Sequence, residues 1–272
     1  MLINCELPLC MIKDNDYIND YDFILYHLCL KYSSYKEFFK RKSERLSILD
    51  NSAYEFFIKK EKFDEKAFIS TIEELKPSYY IVPDVLMDKT STIENYQRWK
   101  TLSIFANSKP MLIPQGRTLR EWLDCYDYFI KNDSIAIGVP FHNDFFYDLG
   151  LIFFYNNKST LSSKIFFPNS DVYYALGRYV LLQHLKETFQ IKEKCHYHLL
   201  GSHWIWEKNF YQEFDFIKTF DTGFPVKCAI EGVLLDKVKC KPQVIIDDFF
   251  EDELSSQIKE LIKTNISLFK NL

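Results

Sequence analysis

The sequence predicts an α/β fold, a (β/α)8 barrel of TIM type, and three observations carry that expectation. Short apolar runs alternate with stretches of helical periodicity along the chain. About eight such runs can be counted, and short apolar strands separated by helices pair in parallel through helical crossovers. The chain has 272 residues, and a barrel of this kind takes about 250 as one domain. An open doubly wound sheet is the alternative that shares the pattern.

Taken in order, an opening strand is expected near Leu2 to Cys5. Asp22 to Cys29 reads as a strand and Tyr35 to Lys42 as a helix. Leu46 to Leu49 is a short strand, Asp64 to Leu75 a helix, Tyr79 to Val82 a strand and Thr92 to Phe105 a helix. Met111 to Ile113 is a strand, Leu119 to Lys131 a helix and Ile135 to Ile137 a strand. Phe141 to Asp171, rich in Asn and Ser, reads as an irregular insertion over the barrel mouth. Val172 to Phe189 is a long helix with apolar residues at helical spacing. His196 to Leu200 and Phe216 to Phe220 supply the last strands. Asp247 to Leu272 reads as a closing helix, centred on 249–268, with acids early and Lys late, as the helix dipole favours. No repeat or linker interrupts the chain, so residues 1–272 read as one catalytic domain.

Composition narrows the classes. An apolar fraction of 47% allows a large core, and 26% charged residues is an ordinary globular value. The net charge of −4 excludes a histone-like binder yet permits a local basic groove. Seven irregularly spaced cysteines, with no secretory leader expected in Met1 to Lys13, indicate reduced thiols and a cytoplasmic protein, in the host cytoplasm if the source is viral. No apolar run reaches the roughly 18 residues of a spanning helix, so no membrane partner is expected. With only seven glycines, no Walker or dinucleotide-type loop is present, and no cofactor is expected.

Polar residues recur where predicted strands end: Asp50, Asp84, Gln115 and Asp221, with Gly138 and Gly201 at two further ends. A single Asp there also reads as the cap of the next helix. Several in register point instead to the carboxyl rim, where barrels of this class place their chemistry.

The ordered set Leu49-Asp50-Asn51-Ser52-Ala53-Tyr54, Val82-Pro83-Asp84, Pro114-Gln115-Gly116, Ile137-Gly138, His198-Leu199-Leu200-Gly201 and Phe220-Asp221-Thr222 resembles the tRNA-guanine transglycosylases. It resembles more closely their DNA-modifying relatives, the DpdA-type 7-deazaguanine transglycosylases, on the segment Val82 to Asp88 with Thr90 and Thr92. The resemblance runs from Leu46 to Thr222. It implies an enzyme that cleaves a guanine N-glycosidic bond and installs a 7-deazaguanine, such as preQ0 or a derivative. It implies that Asp221 is the nucleophile on C1′ and Asp50 the acid–base partner. Base recognition would fall to Asp84, with Asp88 as its substitute, to Gln115, and to the backbone at Gly138, Val139 and Gly201. Tyr54 and Leu200 would sandwich the ring, although each also reads as ordinary packing. The implied partner is DNA, with tRNA as the alternative, and other modification proteins are conceivable partners.

The chain departs from that pattern in places. Only Cys228 and Cys240 follow Asp221, and no His follows His203, so the zinc site of the tRNA enzymes cannot be built and no metal is expected. Cys195, His196, His198 and His203 have a metal-like composition, but neighbours on a strand face opposite ways, which favours packing. Asn51-Ser52-Ala53 replaces a Gly-rich turn. Lys36, Lys40, Arg41, Lys42 and Arg45, with Lys237, Lys239 and Lys241, flank the site as a phosphate-tracking groove would, or form solvated faces. A carboxylate-pair glycoside hydrolase using Asp50 and Asp221, and a non-catalytic subunit of a modification complex, are the competing readings.

Overall fold

A computed structural model describes residues 1–40, 44–102, 108–132, 134–161, 170–188, 191–202, 204–238 and 242–271. The strands are β1 (Leu2–Cys5), β2 (Asp22–Leu25), β3 (Ser47–Asp50), β4 (Tyr79–Ile81), β5 (Lys109–Met111), β6 (Ala136–Val139), β7 (His196–Leu199) and β8 (Ile217–Thr222). Helices of the first half are α1 (Asn15–Ile18), α2 (Tyr26–Lys31), α3 (Ser33–Lys40), α4 (Ala53–Lys59), α5 (Glu65–Leu75), α6 (Lys89–Lys100) and α7 (Leu119–Lys131). The second half adds α8 (Asp144–Asn156), α9 (Lys158–Leu161), α10 (Ser170–Thr188), α11 (Glu207–Tyr211), α12 (Phe224–Ile230), α13 (Ile246–Phe249) and α14 (Ser256–Asn271). The strands form two four-stranded sheets, ordered β1-β8-β7-β6 and β2-β3-β4-β5, and the pairings β1–β8, β2–β3, β3–β4 and β4–β5 are parallel. The fold is therefore α/β. The chain divides into two compact units, one of residues 21–139 and 194–197, the other of residues 1–20, 140–193 and 198–272.

In the first unit the register brings strand ends level: Leu25 lies opposite Asp50, and Ile81 opposite Met111. Beyond β5 the backbone of Leu112 bridges Ile137 in parallel, accepting from Gly138 N–H at 2.9 Å and donating to Ala136 O at 3.0 Å. α5 starts at Asp64, whose carboxylate accepts from Ala67 N–H, and buries Phe68, Ile72 and Leu75. α7 starts at Thr118, which caps Glu121 N–H, and buries Trp122, Cys125, Tyr126 and Phe129. These apolar faces at helical spacing are what the sequence pattern indicated.

In the second unit β1 runs beside β8 with Asn4 opposite Asp221. α8 and α10 cross backbone to backbone. A Cβ at Gly150 would lie 1.8 Å from Tyr173 O, and one at Gly177 would lie 1.9 Å from Phe146 O. Only glycine permits that approach. Beside the crossing, Phe141, Phe154, Val172, Leu176 and Trp204 form a buried apolar cluster.

Several expectations need correction. The strand expected over Asp22 to Cys29 ends at Leu25, and Tyr26 begins a helix. Both pieces are buried throughout, so apolarity alone could not separate them. The expected irregular insertion holds α8 and α9, while residues 162–169 lie outside the described residues. α8 is Phe-rich on several sides, which hides a helical stripe. The closing helix is two helices, α13 and α14, and α14 has no acid in its first turn. α6 begins at Lys89, earlier than Thr92, because Asp88 caps it. α4 was not anticipated.

Candidate active site

In the unit of residues 21–139, polar side chains gather at the carboxyl ends of β2, β3 and β4 and just beyond β5. β3 ends on Asp50, which is half-buried, and the chain turns at once into α4. Two successive side chain-to-backbone turns make the corner. Asp50 Oδ2 accepts from Ser52 N–H at 2.9 Å, and Asn51 Oδ1 accepts from Ala53 N–H at 2.8 Å. Ser52 sits there at φ 56°, a left-handed conformation unusual for a residue with a Cβ. Its hydroxyl accepts from His27 N–H at 3.2 Å and lies 2.9 Å from His27 Nδ1, with which it shares a second hydrogen bond.

Next to this corner lies a second network. Asn51 Nδ2 donates to Val82 O at 3.1 Å and to Asp84 Oδ1 at 2.8 Å. Gln115 Nε2 donates to Asp84 Oδ2 at 2.6 Å, while Gln115 Oε1 accepts from Met87 N–H at 3.0 Å. That last bond sets the orientation of the Gln115 amide. Removal from water pushes the Asp84 carboxyl above the ordinary range, and the bonds from Asn51 and Gln115 oppose the shift. Each Asp84 oxygen thus has one amide donor and keeps a further lone pair for another. Met87 also has positive φ, 61°, so both turns that shape this corner hold non-glycine residues in a strained region.

In the other unit Asp221 is buried near the carboxyl end of β8, inside the strand and not beyond it as expected. Its Oδ1 accepts from Gly201 N–H at 3.1 Å and lies 3.1 Å from His198 Nε2. His198 Nδ1 lies 2.9 Å from Thr219 Oγ1. Both of these contacts fall on Oδ1. Gly201 has φ +67°, the conformation for which glycine is suited. Next to it, Thr222 Oγ1 donates to Ser202 O at 3.0 Å. His198, expected to be strand packing, is buried within β7, and its Nε2 comes to lie 3.1 Å from Asp221 Oδ1.

The remaining expected residues divide. Gly138 N–H is engaged by Leu112 O and Val139 is buried within β6, so the expected donor to a base carbonyl at Gly138 is already taken by strand pairing. Asp88 caps α6, accepting from Ser91 N–H at 3.0 Å and Ser91 Oγ at 2.8 Å, and this bonding holds its carboxyl below the ordinary range. It is the cap of α6. Tyr54 stands exposed on α4 and Leu200 is half-buried. Arg45 Nε lies 3.1 Å from the buried Asp22, Lys36 pairs with Glu74 at 2.8 Å, and Lys40 with Glu37 at 3.5 Å, whereas Lys237 is exposed. Arg41, Lys42, Lys239 and Lys241, with His203 and Cys240, lie outside the described residues. Among the described residues no group of three His, Cys, Asp or Glu side chains is arranged to hold a metal ion. No helix among them is long and apolar enough to cross a membrane.

Sequence reasoning missed His27, Ser52 and Asn51 as supporting groups, and Arg178 and Glu207, which form a fully buried ion pair at 3.0 Å. The signal for the last two was an Arg and a Glu among apolar neighbours, visible only when the helix faces are known. No protein-family model matches the chain, and a search of curated proteins finds no match.

Proposed function

We propose that the protein is a base-exchange transglycosylase that replaces guanine in DNA with a 7-deazaguanine. The single observation that best supports this is the Asp221 carboxylate: one oxygen is held by a backbone N–H and lies against a histidine. In this reading Asp221 Oδ2 attacks C1′ of the target nucleotide. The C1′–N9 bond breaks, and guanine departs with its electron pair, protonated by Asp50. The incoming deazaguanine then gives its N9 proton to Asp50 and attacks C1′, releasing Asp221. This is the double displacement used by retaining glycosidases. Asp84 and Gln115 would read the base edge, Asp84 accepting from ring N–H and exocyclic amine groups. Closure of the strands into a (β/α)8 barrel is part of the same proposal. So is flipping of the guanosine, at a cost of about a few kcal/mol, since a stacked base hides C1′.

The test is incorporation of labelled deazaguanine into plasmid DNA, single-stranded DNA and unmodified tRNA in one buffer. Label is expected in DNA, faster in single strands if flipping limits the rate. Label in tRNA alone would move the assignment to the tRNA enzymes. Release of free sugar from simple glycosides without base exchange would make it a hydrolase.

A further inference from the structure

We propose that the buried Arg178–Glu207 pair is a positioning device that aims the Leu200–Gly201 peptide at Asp221. This rests on the reading of Asp221 as the reacting carboxylate. Arg178, on α10, is fully buried and its guanidinium is surrounded by partners. Nε donates to the Tyr211 hydroxyl at 3.0 Å, Nη1 to Leu200 O at 2.8 Å, and Nη2 to Gly201 O at 2.7 Å and Glu207 Oε2 at 3.0 Å. The rings of Phe141 and Tyr211 flank it, with centroids 5.2 and 5.0 Å from Cζ. Glu207 ties in the following residue, since its Oε1 accepts from Ser202 Oγ at 3.1 Å.

The geometry of one peptide group makes the link. Leu200 C=O and Gly201 N–H belong to the same planar trans unit and point in opposite directions. Arg178 holds the C=O end, and Asp221 Oδ1 receives the N–H end at 3.1 Å. Gly201, at φ +67°, is the residue type for which rotation of that peptide is least hindered. Were the peptide to turn over, a carbonyl oxygen would face the carboxylate in place of a donor. The planar guanidinium holds two successive carbonyls at once, which an ammonium cannot do with the same fixed fork.

The experiment compares the wild-type chain with Arg178→Lys and with the paired Arg178→Met/Glu207→Leu variant, which removes both buried charges together and so leaves neither unpaired. Labelling with ¹⁵N-glycine gives few backbone resonances, because the chain has seven glycines. Adding ¹³C-leucine selects Gly150, Gly177 and Gly201, each preceded by Leu. Gly201 is the one of these displaced by Asp221→Asn. Its amide proton is expected downfield in the wild type and displaced upfield in the paired variant, with Arg178→Lys between. Single-turnover formation of the protein–DNA adduct is expected to slow by about 10- to 100-fold, as for a displaced reacting group, with DNA affinity unchanged. A Gly201 resonance identical to wild type in the folded paired variant overturns the proposal. If the wild type forms no adduct, the transglycosylase reading fails, and the Gly201 resonance still decides whether Arg178 positions the peptide.

Discussion

The two candidate catalytic carboxylates are held in opposite ways. Asp221 is inside a strand, its side chain 4% exposed, with a backbone amide donating to it and a buried imidazole nitrogen 3.1 Å away. Asp50 is the last residue of its strand, half-buried, and accepts from the amide of Ser52 in a left-handed turn two residues on. The difference suits different tasks. A nucleophile must be fixed relative to the atom it attacks, and rigid burial supplies that. A group that gives and takes protons must exchange them, and partial exposure at a turn supplies that. The supports differ in kind as well: the buried Arg178–Glu207 ion pair stands behind the Gly201 amide at Asp221, whereas the Ser52 residue whose amide meets Asp50 is braced through its hydroxyl against His27.

The comparison can be broken in several ways. Asp221→Asn should abolish both the covalent adduct and base exchange; an adduct that survives would show that the buried carboxylate is not the nucleophile. Asp50→Asn should lower turnover by about 10²–10⁴-fold, the range of acid–base catalysis, while the adduct with DNA still forms slowly. Unchanged turnover would remove Asp50 from the chemistry.

Smaller effects sharpen the picture through stability. Gly177→Ala should destabilise the α8–α10 crossing by about 1–3 kcal/mol or more, because the new methyl would overlap Phe146 O. Denaturant unfolding reads this directly. Ser52→Ala should cost about 1–3 kcal/mol by leaving His27 without the Ser52 hydroxyl, and should lower turnover if the turn positions Asp50. A loss of stability with no loss of turnover would make the Asp50 corner merely structural. The smallest effect concerns Asp84, whose folded carboxyl is raised by desolvation. A raised carboxyl favours the protonated form in the folded state. Its contribution is therefore present below the ordinary Asp range and lost as pH rises through the folded value. Denaturation midpoints of wild type and Asp84→Asn across pH should show the wild type losing ground to the variant as pH rises. The reverse trend would mean that the amide donors of Asn51 and Gln115 outweigh burial.

Much of the element order was legible because apolar periodicity reports burial, and burial is what strands and helices share here. α7 matches its expected span at both ends because a capping Thr118 and a strong stripe of Trp122, Cys125, Tyr126 and Phe129 coincide. α8 escaped because its packing against α10 depends on Gly150 and Gly177 meeting carbonyls of another helix, which no local window contains. At the candidate site, the positions of Asp50, Asp84 and Gln115 followed from residue type and place relative to a strand end. The capping bond of Asp88 was not legible, because a capping Asp and a rim Asp look alike until the donor is seen, here Ser91, three residues on.

The sequence by itself determined which residues are apolar, where the chain must turn and which acidic and amide side chains end its strands. These are properties of neighbouring residues, and neighbouring residues suffice to read them. Tertiary structure alone decided which amides were free and which were engaged. Gly138 N–H went to Leu112, 26 residues earlier, and Gly201 N–H to Asp221, 20 residues later. It also brought Arg178 to the carbonyls of Leu200 and Gly201. A hydrogen bond is directional and reaches only about 3 Å, so its partner is set by where the fold carries two distant segments, and no pattern along the chain encodes that distance.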